Sequence, residues 1–422
     1  MRATPPLPGG EGKPGNPDPI SGAGVSPNPE SSHALVSGSA LKGVPETGAM
    51  PPQPPWFWET RESRPRRPSP AKVHAMDKML KAFRLQAVWC ADLGSPFTSA
   101  LMTRMADDLE QGGPVAAILG DWPGEPLADA VSLRLTGALH AAVLARKDEA
   151  LAAAYPKGRD DWDMEAVWPT ARAFLAREAP WVRAFIANAP QTNETRRAIG
   201  LLPGFLIAAE VGPLHLLEIG ASAGLNQRLD GFRFETDTWS YGPEGGPRID
   251  TDWRRPPPEG LDRPLAIASR AGCDVNPLDV RDPAQALRLK SYVWPDQPDR
   301  LDRIDRAIAL AQREGVTLEK ADAAEFLKSR LAGPLPEGTT IVFHSVVWQY
   351  LPEATKQGVQ DALDRAAATA TPRNRLAWLR YEPNPLLKDL GSIEGFGVAL
   401  TLWPGGDQRR LASTDGHTRT VA

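Results

Sequence analysis

Apolar residues recur at helical spacing from Asp77 to Glu210. Met79, Phe83, Ala87 and Cys90 form one stripe, and that spacing predicts a helix. Gly94-Ser95-Pro96 should stop it and start the next. Val131, Leu135, Leu139 and Val143 form a second stripe. Val167 to Ile186 gives a third, carrying Trp168, Phe174, Trp181 and Phe185. A polar turn at Gln191-Thr192-Asn193-Glu194 leads into the apolar run Ile199–Ala209, broken by Pro203-Gly204. The aromatic residues on these stripes read as core.

From Val211 the period changes. Leu214–Ile219 is a short apolar run bounded by Gly-Pro before and Gly after, the pattern of a buried strand. Phe232–Glu235 alternates, and residues 240–260 are rich in Gly and Pro and read as an irregular insertion. Leu265–Ser269, Val316–Lys320, Thr340–Val347 and Leu376–Tyr381 read as further strands. Helical patterns over Pro283–Glu314 (one helix or two), around Phe326-Leu327, and over Ala354–Ala368 lie between them. Val398–Trp403 and Arg410–Ser413 flank P-G-G-D and read as a hairpin. Strands alternating with helices predict a mostly parallel sheet. The expected architecture is a helical domain over 76–210, then a Rossmann-like α/β domain over 211–422 that closes on a β-hairpin.

Residues 1–75 differ in composition. They hold 16 of the 43 prolines and 9 of the 37 glycines. Such a stretch buries too little apolar surface to offset its ordering entropy, so a disordered leader is expected. Its end is basic, with Arg61, Arg64, Arg66, Arg67 and Lys72, which reads as a tether for anions or as a solvated charge run. Met76, where the folded pattern starts, is a second candidate start of translation. The formal net charge is −4, so nothing drives the whole chain toward nucleic acid. Two cysteines, Cys90 and Cys273, support neither a disulfide framework nor a paired-cysteine metal site, and a cytoplasmic setting is expected. Met1–Gly10 lacks the apolar run of a secretory signal, and no stretch has the 18 or so apolar residues of a membrane helix. No H-E-x-x-H and no P-loop occurs, so neither a metal nor a nucleoside triphosphate is expected.

The candidate chemistry starts after the first strand. L-L-E-I-G-A-S-A-G-L-N predicts a strand, a glycine-bearing loop and a helix, with Glu218, Gly220, Ser222, Gly224 and Asn226 at the turn. Glycine lets the backbone approach a ligand, and a helix start favours negative or electron-rich groups. Thr340–Leu351 ends in a polar and aromatic cluster. Ligands of open α/β sheets bind beyond the carboxyl ends of the strands. His344 there is a candidate general base, or a core histidine. Trp348 and Tyr350 are candidates to stack on substrate, and Tyr350 joins His344 as a candidate for catalysis. Arg380 and Glu382 end the next strand, as substrate ligands or as a salt bridge. Asn193 and Glu194 complete the candidates for holding a small-molecule substrate.

Two resemblances follow from these segments. The E-x-G-x-S-x-G turn resembles class I S-adenosylmethionine-dependent methyltransferases. That likeness implies that Glu218 helps to position the methionine part of the cofactor, with Ser222 in place of the usual middle glycine. It implies that Asp274, in G-C-D-V-N-P, meets the ribose and that Asp322, in K-A-D-A-A-E, meets the adenine. The plain alternatives are an Asx turn and a helix N-cap. G-S-P-F-T (Gly94–Thr98), Q-T-N-E (Gln191–Glu194), the L-L-E-I-G turn, G-C-D-V-N-P-L-D, Y-V-W-P-D-Q (Tyr292–Gln297) and H-S-V-V-W-Q-Y-L together resemble an uncharacterised bacterial family known only as domain-of-unknown-function family 2332. That resemblance covers about residues 76–415 and implies no activity.

The expected function is therefore an S-adenosylmethionine-dependent methyltransferase-like enzyme. One rival reading uses the same turn. Gly220-Ala221-Ser222-Ala223-Gly224 spells the G-x-S-x-G of a serine nucleophile elbow, with Asp322 and His344 or His417 following in the order a hydrolase needs. Another is a Rossmann-like module that binds a ligand without turnover.

Overall fold

The computed structural model of the chain describes residues 70–315, 317–390 and 395–422. The leader expected over 1–75 falls outside these residues, except for its end, where the first helix begins. Among the described residues eight helices come first: α1 (Pro70–Asp92), α2 (Pro96–Glu110), α3 (Pro114–Leu119), α4 (Val131–Leu144), α5 (Glu149–Ala154), α6 (Met164–Arg177), α7 (Ala179–Ile186) and α8 (Arg197–Ala208). The break expected at Gly94-Ser95-Pro96 is there. Ser95 caps α2, its Oγ accepting from Thr98 N at 3.3 Å. The third stripe, expected as one run, divides into α6 and α7, with a proline in the first turn of α7. Proline has no N–H to continue a helix but suits a first turn. Pro203, expected to interrupt its run, lies inside α8. Burial of Leu201, Leu202, Phe205 and Leu206 offsets its missing hydrogen bond.

The strands then follow: β1 (Leu214–Ile219), β2 (Arg233–Glu235), β3 (Ser240–Tyr241), β4 (Arg248–Asp250), β5 (Asp252–Trp253), β6 (Ile267–Asp274), β7 (Leu318–Lys320), β8 (Gly338–Ser345), β9 (Asn374–Pro383), β10 (Phe396–Trp403), β11 (Asp407–Thr414) and β12 (Thr420–Val421). The helices among them are α9 (Pro283–Ser291), α10 (Pro298–Glu314), α11 (Ala323–Arg330) and α12 (Glu353–Ala367). Among the described residues nine strands form one sheet in the order β5-β12-β11-β10-β9-β8-β1-β6-β7, and β3-β2-β4 form a small second sheet. The run β7-β6-β1-β8-β9 is parallel throughout. In chain order these strands lie third, second, first, fourth and fifth, the order of a Rossmann sheet. The expected hairpin is β10–β11, and β10 runs antiparallel to both β11 and β9. The fold class is thus α/β, mostly parallel, with helices before it and antiparallel strands at its end.

The element expected after β1 differs as well. No α-helix follows β1. The chain makes a 3-10 turn over Leu225–Gly231, kinked at Arg228, and continues into the small sheet. Its side chains face inward, and α10 packs against it. The insertion expected over 240–260 contains β3, β4 and β5.

Alternation along the strands sorts the core. Leu214 and Leu216 of β1, with Ile341 and Phe343 of β8, face α8 and α10. Leu217, Ile219 and Val342 face α11 and α12. A third core lies among α1–α7 and takes in Tyr292 and Trp294 from the segment after α9. No helix among the described residues is long and apolar enough to cross a membrane.

Phe205 of α8 meets Phe343 of β8 edge to face, with ring centroids 5.2 Å apart, and both are fully buried. Phe205→Ala should cost about 3–5 kcal/mol of stability, read as a lower urea midpoint with unchanged slope.

Candidate functional site

Strand order reverses between β1 and β8, and ligands of such sheets bind at that switch point. After Ile219 the chain turns through Gly220 at φ +64° and Ser222 at φ +53°. A Cβ on Gly220 would stand 2.3 Å from Val347 Cγ2, so this position needs glycine for space as well as for its backbone. Ser222 holds a left-handed conformation that side chains rarely adopt, and its neighbours enforce it. Its N–H donates to Asp274 Oδ2 at 2.9 Å, and its carbonyl accepts from Leu278 N at 3.0 Å. Asn193 Oδ1 accepts from Leu225 N at 2.9 Å. Gln191 Nε2 donates to Asn276 O at 2.8 Å and reaches Asp274 Oδ1 at 3.4 Å. Side chains from Q-T-N-E and from the end of β6 therefore set the loop.

Within Glu218–Gln227 lies a group of buried polar atoms without hydrogen-bond partners among the described residues. They are Glu218 Oε2, Ser222 Oγ and both amide atoms of Asn226 and of Gln227. Buried polar groups are normally paired, and leaving one unpaired costs about 1–3 kcal/mol. Glu218 shares its face of β1 with Leu214 and Leu216. Burial pushes its carboxyl up to about 8. The Gln227 amide opposes this from outside hydrogen-bonding geometry, and the Asp274 charge adds to it. Gly272, beside Glu218 on β6, leaves the room that Gln227 uses, since a Cβ there would lie 2.3 Å from Gln227 Nε2.

The ends of β8 and β9 form a second group. His344 Nδ1 lies 2.7 Å from Glu382 Oε1, and both side chains are enclosed. The same Oε1 accepts from Val347 N at 3.0 Å and Trp348 N at 3.2 Å. The imidazole stacks on Trp348, centroids 5.4 Å apart, and lies 6.0 Å from the Trp378 ring. Val346 between them sits at φ +56°, a strained conformation for a β-branched residue. His344 alternates with Phe343, so it points to the α11 and α12 face, opposite Glu218.

The remaining sequence candidates separate. Asp274 takes Ser222 N on one oxygen and Asn276 N at 2.8 Å on the other, an Asx turn that also holds the loop. Asp322 caps α11 by accepting from Ala324 N at 2.8 Å, and its other oxygen accepts from Thr355 Oγ1 at 2.6 Å. Arg380 stacks over Trp378 at 4.3 Å. Tyr350 is 73% exposed, whereas His344 is fully buried, so the two candidates for catalysis lie in unlike settings. Glu194 accepts from Arg300 Nη2 at 2.6 Å and from Arg196 N at 3.1 Å. Burial raises its pKa, but Arg300, Arg303, His417 and Arg197 outweigh that and hold the carboxyl well below the usual range. Among the described residues no three His, Cys, Asp or Glu side chains are grouped to hold a metal ion.

A family model described as "Uncharacterized protein conserved in bacteria (DUF2332)" matches residues 80–422. The chain belongs to this family. The motifs that resembled it therefore identified it, with the leader outside the match. No curated protein matches the sequence. Among solved structures, one described as "DhpI-SAM-HEP complex" is similar at 11% identity, with a TM-score of 0.19, over 52% of this chain and 70% of that chain.

In this DUF2332 chain the sequence reading missed Gln191, Gln227, Trp378 and Arg300. Gln191 and Gln227 stand beside residues it did select, but a lone glutamine carries no chemical signature. Arg300 follows Y-V-W-P-D-Q in the first turn of a helix, where arginines are common on solvated faces.

The raised Glu218 pKa has a definite sign. The folded state holds the proton more tightly than the unfolded state, whose carboxyl titrates near 4.5. Its contribution to stability is full below about 4.5 and is lost as pH rises through about 8. Glu218→Gln should remove that loss. The gain in melting temperature over the natural chain should be larger at pH 8 than at pH 5, and an equal gain at both would contradict the assignment.

Proposed function

We propose that this chain is an S-adenosylmethionine-dependent methyltransferase whose cofactor lies against the loop after β1, with a small molecule as methyl acceptor. The observation that carries the reading is the set of unpaired, buried polar atoms on Glu218, Ser222, Asn226 and Gln227 at the switch point of a Rossmann-ordered sheet. These donors and acceptors fit a polar cofactor that carries an ammonium group and hydroxyls. When bound, the cofactor supplies a methyl group on a positively charged sulfur.

The chain's own residues have simple tasks. Glu218, on becoming a carboxylate, pairs with the cationic part of the ligand. Asn226 and Gln227 each offer one acceptor and two donors. Asp274 and Asn193 act on the backbone, holding the loop in shape rather than touching the ligand. Holding the acceptor in line with the methyl group carries much of the rate in such a displacement. His344 receives no proton-transfer role, because it is enclosed and committed to Glu382.

The serine hydrolase reading gains one feature, the strained backbone of Ser222. It lacks the rest. Ser222 Oγ hydrogen-bonds to no histidine among the described residues, Asp322 is committed to α11 and Thr355, and His344 faces the other side of the sheet.

Calorimetry with S-adenosylmethionine and S-adenosylhomocysteine tests the proposal. Both should bind, releasing a proton at pH 7, and affinity should rise toward a plateau above about pH 8. The rise should be at most about tenfold per pH unit, and Glu218→Gln should flatten it. Absence of binding to folded protein sinks the proposal. A fluorophosphonate probe should leave Ser222 unlabelled, and labelling that Ser222→Ala abolishes would favour the hydrolase instead.

A further inference from the structure

Three of the sequence motifs meet at one place away from the loop after β1. Gly94 of G-S-P-F-T, Glu194 of Q-T-N-E and Gln297 of Y-V-W-P-D-Q all line a cavity of about 70 Å³. Ser95 Oγ donates to Asp296 Oδ1 at 2.5 Å, Phe97 N donates to Asp296 Oδ2 at 3.0 Å, and Gln297 Nε2 donates to Gly94 O at 3.1 Å. These bonds tie the start of α2 to the start of α10. The rest of the lining is mostly cationic, with Arg159, Arg196, Arg300, Arg303 and Arg419 against two carboxylates, Glu194 and Asp299.

The arginines are unequally satisfied. Arg300 is held by Glu194 at 2.6 Å and by Gln297 Oε1 at 2.7 Å. Arg419 reaches Asp415 at 3.3 Å. Arg196 and Arg303 share one carboxylate, Asp250, at 3.0 and 3.6 Å. Arg303 is only 4% exposed, and its one ion pair among the described residues is that long contact with Asp250, although a guanidinium carries five N–H donors. Arg159 has no ion pair among the described residues. Burying a guanidinium with few acceptors is expensive. Gathering several here, at the start of the 17-residue α10, which has no side-chain cap, compounds the cost.

We propose that this cavity is a binding site for an oxyanion, the phosphate or carboxylate group of a small-molecule ligand. The volume suits such a group, since about 10–15 Å³ of such space holds a single water. Planar guanidinium forks match carboxylate and phosphate oxygens in pairs. Arg196 and Arg419 also line an open polar groove of about 640 Å³, where the rest of the ligand has room. His417, driven down to about 4 by burial and the Arg300 charge, adds a neutral ring to the wall at pH 7. The site stands whether or not the loop after β1 holds a cofactor. If it does, the two are neighbours, because Asn193 holds Leu225 and the next residue, Glu194, lines the cavity.

Calorimetry on the full chain with inorganic phosphate and with acetate, at constant ionic strength and fixed chloride, tests this. At least one anion should bind saturably at a single site. Preference for phosphate would mark a phosphoryl ligand, and preference for acetate a carboxylate. Arg303→Gln should weaken binding at least tenfold. Because Arg303 is buried and its variant can unfold, the exposed Arg159→Gln is the second variant, expected to weaken binding about threefold or more while its melting temperature stays the same. Heats that never saturate with either anion, or an affinity unchanged by Arg159→Gln, would overturn the proposal.

Discussion

Gly220 allows the loop after β1 to lie directly on Val347, and the geometry at the switch point depends on that contact. Val347 can stand there because the preceding Val346 accepts a positive φ. The strain is offset by hydrogen bonds that run onward from the contact. Val347 N and Trp348 N both donate to Glu382, and Glu382 is oriented by His344. The ends of β1, β8 and β9 are thus fixed by one continuous series of contacts. A side chain at position 220 would push the first loop away from all of it.

Two buried glutamates show how the fold treats charge. Both lose hydration on burial. Glu194 has Arg300 against it and more arginines behind, so it stays ionised. Glu218 has no cation against it among the described residues and sits near Asp274, so it holds its proton near neutral pH. The difference lies in the neighbours rather than in the depth of burial. One acid completes its surroundings with the protein's own arginine, whereas the other reaches that state only when a cation arrives from outside.

Strand placement was legible in the sequence because apolar runs such as Leu214–Ile219 and Thr340–Val347 carry their own signature. So was the hairpin around P-G-G-D. Local chemistry also offered the hydrogen bonds that two acids make, an Asx turn at Asp274 and an N-cap at Asp322, beside the cofactor contacts that the resemblance implied for them. What stayed hidden depends on contacts across the chain. Nothing local in Leu225–Gly231 says that it forgoes an α-helix; its polar residues turn inward because α10 and β6 surround them. Alternation assigns His344 and Glu218 to opposite faces only once the register of β1 against β8 is known. The arginine cavity draws on residues from Gly94 to Arg419, so no window of sequence contains it.

The missing helix after β1 also bears on how the molecule assembles. In a βαβ unit the first turn of the helix organises the loop from within, using contacts a few residues apart. Here the loop is held by Asn193, 32 residues before Leu225, and by Asp274, 52 residues after Ser222. Closing such long stretches of chain costs entropy before any contact repays it. The corner therefore takes shape only after the helices before β1 and the strand β6 have docked on it. It belongs to the late, cooperative part of folding, and an opening of either flank would undo it while the sheet beneath stays paired.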